Sequence, residues 1–289
     1  MIPSSFEYVA PKSVAEATSF LVAHPDDAKL VAGGHSLIPL MKLRLAGPKY
    51  LVDISRVPGL SEIREANGAL EIGALATHHQ IEASALVRER LPVLAETAAL
   101  IGDVQVRNRG TIGGSLAHAD PAADYPAPIL ALDAEISVTG PNGQRTIKAT
   151  DLFVDLLTTS LKSNEVITQV RVPIPGAGTG ASYQKFPHPA SRYAIVGVAA
   201  VVRLNSDGIC ASARIGITGA GSKAERATAA EQGLVGSKLD DAALQKAGAA
   251  AAEAVDPVGD IHASAEYRRH LVREFTLRAL REAASRAGR

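Results

Sequence analysis

Apolar positions recur at helical spacing in some stretches of the chain and alternate at strand spacing in others. Val14, Ala17 and Leu21 share one helical face, opened by the capping box Ser13-Val14-Ala15-Glu16 and closed by His24-Pro25. Lys29-Leu30-Val31-Ala32 reads as a strand that stops at Gly33-Gly34. Residues 37–45 read as a helix, with Pro39 near its start, where proline is tolerated. Residues 50–54 read as a second strand, and Arg56-Val57-Pro58-Gly59 as a hinge. Residues 69–73 predict a strand, Thr77-His78-His79-Gln80 a second capping box opening a helix toward Leu86, and residues 92–100 a further helix. A glycine-rich stretch follows at 110–114, then small residues as far as Pro128. Gly140-Pro141-Asn142-Gly143, flanked by segments 136–139 and 145–149, signals a hairpin, and residues 166–174 alternate as a strand.

Residues 173–180, rich in proline and glycine, read as the linker between two domains. After it, segments 182–186, 194–204 and 209–218 predict an antiparallel meander with a turn at Asn205-Ser206-Asp207-Gly208. The remainder reads as helix at 224–234, 242–254 and 266–284, with Tyr267, Leu271 and Phe275 in register on the last. The pattern gives an α+β chain, with one domain over 1–175 (subdomains about 1–57 and 58–175) and a C-terminal domain of antiparallel sheet and helices over 176–289.

The 289 residues are 46% hydrophobic, which supports a real core, and only 4% aromatic with no Trp, so Ala, Val, Leu and Ile build it. Thirty basic residues balance 30 acidic ones, which argues against a nucleic-acid-binding field. The single cysteine, Cys210, excludes an intrachain disulfide, a four-cysteine iron–sulfur cluster and a zinc ribbon on this chain. With no secretory signal pattern and no long charge-free apolar run, a cytoplasmic home without a transmembrane segment is expected.

Two glycine pairs carry the candidate chemistry: Ala32-Gly33-Gly34-His35-Ser36, and Gly110-Thr111-Ile112-Gly113-Gly114-Ser115. Glycines let backbone N–H groups approach a phosphate closely, and a helix starting after the loop adds its dipole. Ser36, Thr111 and Ser115 add hydroxyls, so two such loops suit a pyrophosphate held by neutral donors. The competing reading is two tight turns. Gly176-Ala177-Gly178-Thr179-Gly180 lacks the spacing of a dinucleotide fingerprint, and residues 216–223 end Ser-Lys rather than the Lys-Ser/Thr of a phosphate loop. His118-Ala119-Asp120 with Asp124 reads as loop solvation or ribose binding more readily than as a cation site. Cys210 reads as a buried, inert thiol.

The two glycine motifs, in this order, resemble those of the flavoprotein subunit of the molybdenum hydroxylases, the group of xanthine dehydrogenase and aerobic carbon monoxide dehydrogenase. The resemblance runs nearly end to end, through residues 32–44, Leu51-Val52-Asp53-Ile54, Glu165-Val166-Ile167 and Tyr183-Gln184-Lys185. It implies a two-subdomain FAD-binding fold of the vanillyl-alcohol-oxidase kind, with FAD bound non-covalently. Ala32, Gly33, Gly34, His35 and Ser36, with Thr111, Ile112, Gly113, Gly114 and Ser115, would bind the phosphates and ribityl chain. Asp124 would hydrogen-bond the sugar portion, Leu161 and Lys185 would lie near the ring or adenosine portion, and Tyr193 would sit against the isoalloxazine. Two positions depart from the family: Ser115 where Asn is frequent, and Arg192 where an acidic residue is frequent.

The same resemblance implies partners: a large molybdopterin-cofactor chain and a small chain with two [2Fe–2S] clusters, in a dimer of heterotrimers. A separate medium subunit of this length is most similar to that of carbon monoxide dehydrogenase. Electrons would pass from the molybdenum site through the clusters to FAD, then to a quinone or other acceptor, with any membrane docking at the inner face made through partners. No catalytic acid or base is assigned. Alternatives are the same role with an aldehyde, purine or other N-heterocycle as substrate, a flavin-free scaffold, and a stand-alone flavin oxidase.

Overall fold

The structure, a computed structural model, describes residues 2–288. The first layer comprises β1 (Glu7–Val9), α1 (Val14–Ala23), β2 (Ala28–Val31), α2 (Leu37–Lys42) and β3 (Tyr50–Asp53). Its three strands run parallel in the order β1-β3-β2, so each connection must cross over, and α1 and α2 lie within the stretches that do so. Ser13 caps α1 by accepting the Glu16 N–H, but the Glu16 carboxylate takes the N–H of Lys12 rather than of Ser13, so the box is displaced by one residue. Ala17 and Leu21 are buried, as their spacing predicted.

The second layer contains β4 (Ile63–Ala66), β5 (Ala69–Gly73), α3 (His78–Ala83), α4 (Ala85–Arg90), α5 (Pro92–Leu100), α6 (Val104–Arg107), α7 (Ile112–His118) and α8 (Pro126–Ala131). It continues through β6 (Glu135–Gly140), β7 (Gly143–Lys148), α9 (Ala149–Leu152), the short pair β8 (Phe153–Asp155) and β9 (Thr158–Thr159), and β10 (Val166–Pro173). The main sheet is antiparallel, ordered β4-β5-β10-β6-β7. Asn67 and Gly68 both have positive φ, the two-residue turn that closes β4 onto β5. The stretch 56–59, read from the sequence as a hinge between subdomains, is packed. Val57 and Leu60 are buried in one cluster with Leu21 and Val52 of the first layer and Leu75 and Val166 of the second.

The third layer is β11 (Thr179–Pro187), β12 (Ala194–Leu204), β13 (Cys210–Thr218), β14 (Glu225–Arg226), α10 (Thr228–Leu234), α11 (Asp241–Ala254) and α12 (Ala265–Ala287). The strands are antiparallel in sequence order, as expected, but β14 replaces the first part of the helix predicted over 224–234. β12 is buried on both faces: Ala199 and Val201 join the core of the second layer, while Val196, Val198, Ala200 and Val202 pack with Leu271, Phe275 and Leu280 of α12. Glycine at 180 has a packing reason. A Cβ there would lie 2.0 Å from the Ala283 carbonyl oxygen, so α12 could not approach β11.

The link between α7 and α8 is stitched to the third layer. Thr218 Oγ1 donates to the carbonyls of Pro121 and Ala123, both at 2.7 Å. Gly219 N–H reaches Pro121 O at 2.6 Å, and Ala194 N–H reaches Ala122 O at 3.1 Å. These bonds hold Asp124 between the two sheets.

Candidate cofactor site

β2 delivers the chain to Gly33 and Gly34, and α2 receives it at Leu37. Gly34 has φ +75°, a left-handed conformation that costs most residues about 1–2 kcal/mol. Gly33 is required for space: a Cβ there would sit 2.0 Å from the Arg109 carbonyl oxygen and 2.9 Å from the Gly110 Cα. The N–H groups of Gly33, Gly34, His35 and Ser36 donate to no described residue. Ser36 is the N-cap of α2, yet its hydroxyl makes no capping bond. A run of free N–H donors around a left-handed glycine is an anion-binding concavity. α2 is only six residues long, shorter than the predicted 37–45, so its dipole adds little.

The second glycine pair differs from expectation. Gly113 and Gly114 do not form a loop. They lie in the first turn of α7, with Thr111 as N-cap. Their N–H groups are already used: Ile112 donates to Ala76 O at 3.1 Å, Gly113 to Ala74 O at 2.9 Å and Gly114 to Thr111 Oγ1 at 3.1 Å. Gly113 is glycine because a Cβ would lie 2.5 Å from Ala74 Cβ. The second segment thus supplies the floor against which Gly33 packs, and the half-buried Ser115 hydroxyl as a polar group. It supplies no second run of free backbone donors.

Asp124 and Lys185 are brought together in a dry network. The Lys185 ammonium lies 2.8 and 2.9 Å from the two Asp124 oxygens and 3.0 Å from Leu100 O, and Tyr183 donates its hydroxyl to Asp124 Oδ1 at 2.6 Å. The side chains of Lys185 and Asp124 are 3% and 5% exposed. Burial pushes the Asp124 carboxyl up, against the pull of Lys185, and pushes the Lys185 ammonium down, against the pull of Asp124. Tyr183 reaches Asp124 past Gly197, the cross-strand partner of Lys185, where a Cβ would lie 2.3 Å from the tyrosine hydroxyl. The sequence reading assigned Asp124 and Lys185 separately and missed Tyr183, although strand alternation puts positions 183 and 185 on one face of β11.

Tyr193 is 44% exposed and lies on the 188–193 connection between β11 and β12. Desolvation raises its phenol pKa, helped by Asp120 and Asp124. Leu161 is half-buried against the core of the second layer. Arg192 adopts φ +60° in the same connection as Tyr193.

His78 belongs to the capping box that the sequence predicts, which the structure contains in full. Its ring is 5% exposed and backs onto Gly110, where a Cβ would lie 2.5 Å from Nε2. Its Nδ1 has no partner. Burial, helped by His35 and Arg107, lowers its pKa to about 4, so it is neutral near pH 7. Gly110 is therefore enclosed, with Gly33 on one side and His78 on the other. Among the described residues no cluster of His, Cys, Asp or Glu could hold a metal ion, and no helix is long and apolar enough to cross a membrane. Cys210 is buried and unpaired, and burial raises its thiol pKa.

A parallel-stranded layer, an antiparallel layer with helices, and an anion concavity at their seam suit the pyrophosphate of a nucleotide cofactor. Residues 4–175 match the family described as FAD binding domain in molybdopterin dehydrogenase, and residues 181–283 match CO dehydrogenase flavoprotein C-terminal domain. The chain belongs to the FAD-binding medium subunits of the molybdenum hydroxylases. It is 43% identical to 6-hydroxypseudooxynicotine dehydrogenase complex subunit alpha of Paenarthrobacter nicotinovorans, over 99% of this chain and 97% of that one. It is 42% identical to the carbon monoxide dehydrogenase medium chain of Hydrogenophaga pseudoflava, over 99% of both. Its fold superposes with TM-score 0.96 on a chain of carbon monoxide dehydrogenase from Hydrogenophaga pseudoflava in a form lacking the Mo-pyranopterin moiety, at 44% identity and 99% coverage of each.

Proposed function

We propose that this chain is the electron-relay subunit of a molybdenum-containing carbon monoxide dehydrogenase, holding FAD between an iron–sulfur partner and an external oxidant. The observation that carries the reading is the run of free N–H groups at Gly33, Gly34, His35 and Ser36, set on the backbone of Arg109 and Gly110. Four neutral donors suit a pyrophosphate in a chain whose net charge is zero. Bound there, FAD supplies an acceptor able to take electrons singly and release them in pairs.

The chain's own residues bind and orient. Residues 32–36 receive the phosphates. Thr111 holds the first turn of α7 beneath them, and Ser115 offers a hydroxyl there. Asp124, fixed by Tyr183 and Lys185, faces the sugar hydroxyls, Leu161 and Lys185 lie near the ring or adenosine portion, and Tyr193 covers the ring. No residue acts as acid or base on the primary substrate, which is bound on another chain. With one cysteine, this chain cannot hold a four-cysteine cluster, so the electrons arrive from a partner chain. The family resemblance supplies the partners of this reading, a small two-cluster subunit and a large molybdopterin subunit, doubled into a dimer of heterotrimers. A quinone is the oxidant in this reading, and membrane contact at the inner face runs through partners.

The relative at 43% identity is named for an N-heterocyclic substrate, which favours a second reading: the same relay serving an N-heterocycle hydroxylase. Metal and flavin analysis of the complex captured through this chain tests the common part. One FAD per chain with iron and molybdenum is expected. FAD without metals would make the chain a stand-alone flavoenzyme, and metals without FAD a scaffold. Reduction of that complex by carbon monoxide, or by an N-heterocycle instead, separates the two substrates.

A further inference from the structure

His78 is a buried titratable group outside the set of residues that receives the cofactor. Its ring packs against Tyr125, with centroids 5.3 Å apart. Among the described residues, neither His78 Nδ1 nor the Tyr125 hydroxyl has a hydrogen-bond partner. An apolar side chain of similar volume would fill the space without burying an unsatisfied nitrogen, so packing alone does not account for an imidazole here.

Backbone contacts fix its place. The His78 N–H donates to Gly110 O at 3.0 Å, the Ile112 N–H donates to Ala76 O at 3.1 Å, and Thr77 bridges Thr111. A Cβ on Gly110 would lie 2.5 Å from His78 Nε2, and a Cβ on Gly33 would lie 2.9 Å from the Gly110 Cα. One backbone layer, at a residue without a side chain, thus separates the imidazole from the 33–36 turn.

The charges around the ring are one-sided. Burial, then His35 of the turn and Arg107 of α6, disfavour its protonation. The two carboxylates that act on the adjoining Tyr125, Asp124 and Glu82, are engaged elsewhere. Glu82, one turn along α3, is held by Arg107 Nε at 2.9 Å, and Asp124 by Lys185 and Tyr183. Burial and the same two carboxylates keep the Tyr125 phenol protonated. The described residues therefore offer an imidazolium here no counter-ion. The charge it lacks is the one that a diphosphate on residues 33–36 would bring.

We propose that His78 is a concealed counter-ion of the cofactor: a diphosphate seated on residues 33–36 draws a proton from solvent onto the His78 imidazole, and the imidazolium then holds the diphosphate through the Gly110 backbone layer. The proposal rests on the FAD reading above and adds a binding residue to that site. An opposite charge nearby favours the charged form of a histidine, and at low dielectric the attraction carries across a backbone layer. Binding of the proton and binding of FAD are reciprocal, so each tightens the other by the same factor. Near pH 7 the ring stays neutral with and without FAD and its part is packing; the coupling acts as pH falls toward about 5.

Calorimetric titration of the flavin-free full chain with FAD, in two buffers of different ionisation enthalpy, counts the protons taken up. At about pH 5 an ordinary imidazole, with a pKa of about 6.5, already carries its proton in the free chain, so uptake there reports a depressed histidine. Most of one proton per FAD is expected in the wild type, with FAD bound about tenfold more tightly at about pH 5 than at about pH 7. His78→Gln is expected to abolish the uptake and to flatten the affinity between these pH values. His35→Gln is expected to keep the uptake, whatever it does to affinity. Absence of uptake in the wild type, its persistence in His78→Gln or its loss in His35→Gln would overturn the proposal. Magnetic resonance of the histidine-labelled wild type gives the same answer without relying on a variant. The His78 ring must titrate at higher pH with FAD than without, and an unmoved titration would overturn the proposal too. A full chain that binds no FAD at either pH would instead sink the FAD reading on which the proposal stands.

Discussion

The two glycine pairs are alike in sequence and opposite in structure. Gly33 and Gly34 sit in an open turn whose N–H groups have no partner, whereas Gly113 and Gly114 lie in a helical turn whose N–H groups are all bonded. One pair gives donors to a ligand; the other makes room for Ala74. A glycine pair marks a need for space or for positive φ, and only the destination of the backbone N–H groups says what the space is for. The site thus has an open half, residues 33–36, and a closed half made of α7, His78 and the Asp124–Lys185 network. Changes in the closed half are expected to cost stability, and changes in the open half to cost cofactor.

The largest effect belongs to the closed half. Lys185→Met removes one partner of a buried ion pair and strands the Asp124 charge. Such losses cost about 3–5 kcal/mol. Urea unfolding of the isolated chain is expected to shift by that amount, and a shift below about 1 kcal/mol would show that water enters the network and that the two halves are less distinct than they look.

His78 supplies the next test, through pH. Its folded pKa is about 4 against 6.5 for a free imidazole. Between those values the unfolded chain binds the proton and the folded chain does not. The stabilisation is therefore present above about pH 6.5 and is lost as pH falls toward 4, by about 3 kcal/mol in all. His78→Gln should flatten this part of the stability–pH curve. An unaltered slope would mean that water reaches the ring.

A crossed pair sharpens the comparison further. Gly113→Ala forces a methyl onto Ala74 and is expected to cost about 1–3 kcal/mol of stability, with FAD affinity of the folded fraction changed little. Gly34→Ala is expected to cost about 1 kcal/mol of stability through its positive φ, yet to weaken FAD binding tenfold or more as the N–H run is displaced. Flavin fluorescence titration beside thermal melts reads both. The reverse ordering would exchange the roles assigned to the two halves.

Much of this was legible in the sequence. The Thr77–Gln80 box, the strand at 69–73, the helix at 92–100 and the meander after 180 follow from caps, turns and periodicity, which are local. The Asn67-Gly68 turn was equally local and was overlooked. What sequence could not give was long-range. Gly33 meets Arg109, Tyr183 meets Asp124, and His188 is pinned by its own loop against His262. Periodicity says which face of an element is apolar, and says nothing of which polar side chain a distant element will bring to it. The family resemblance placed Asp124 and Lys185 at the site singly, and only the fold shows that they are one buried unit.

The smallest effect is expected at Ser115, on the boundary between the halves. Its backbone belongs to α7, and its N–H bonds Thr111 O at 3.0 Å, so the closed half holds the main chain. Its side chain is half-buried and caps nothing, so a substitution there leaves the packing of Gly113 on Ala74 untouched. Ser115→Asn lengthens the reach and adds a second type of polar atom where the family frequently has Asn. One additional neutral hydrogen bond contributes about 0.5–1.5 kcal/mol. FAD affinity is therefore expected to rise about threefold to tenfold, with no change in melting temperature of the apo chain. A gain in stability without a gain in affinity would assign Ser115 to the closed half, and the open half would end at Ser36.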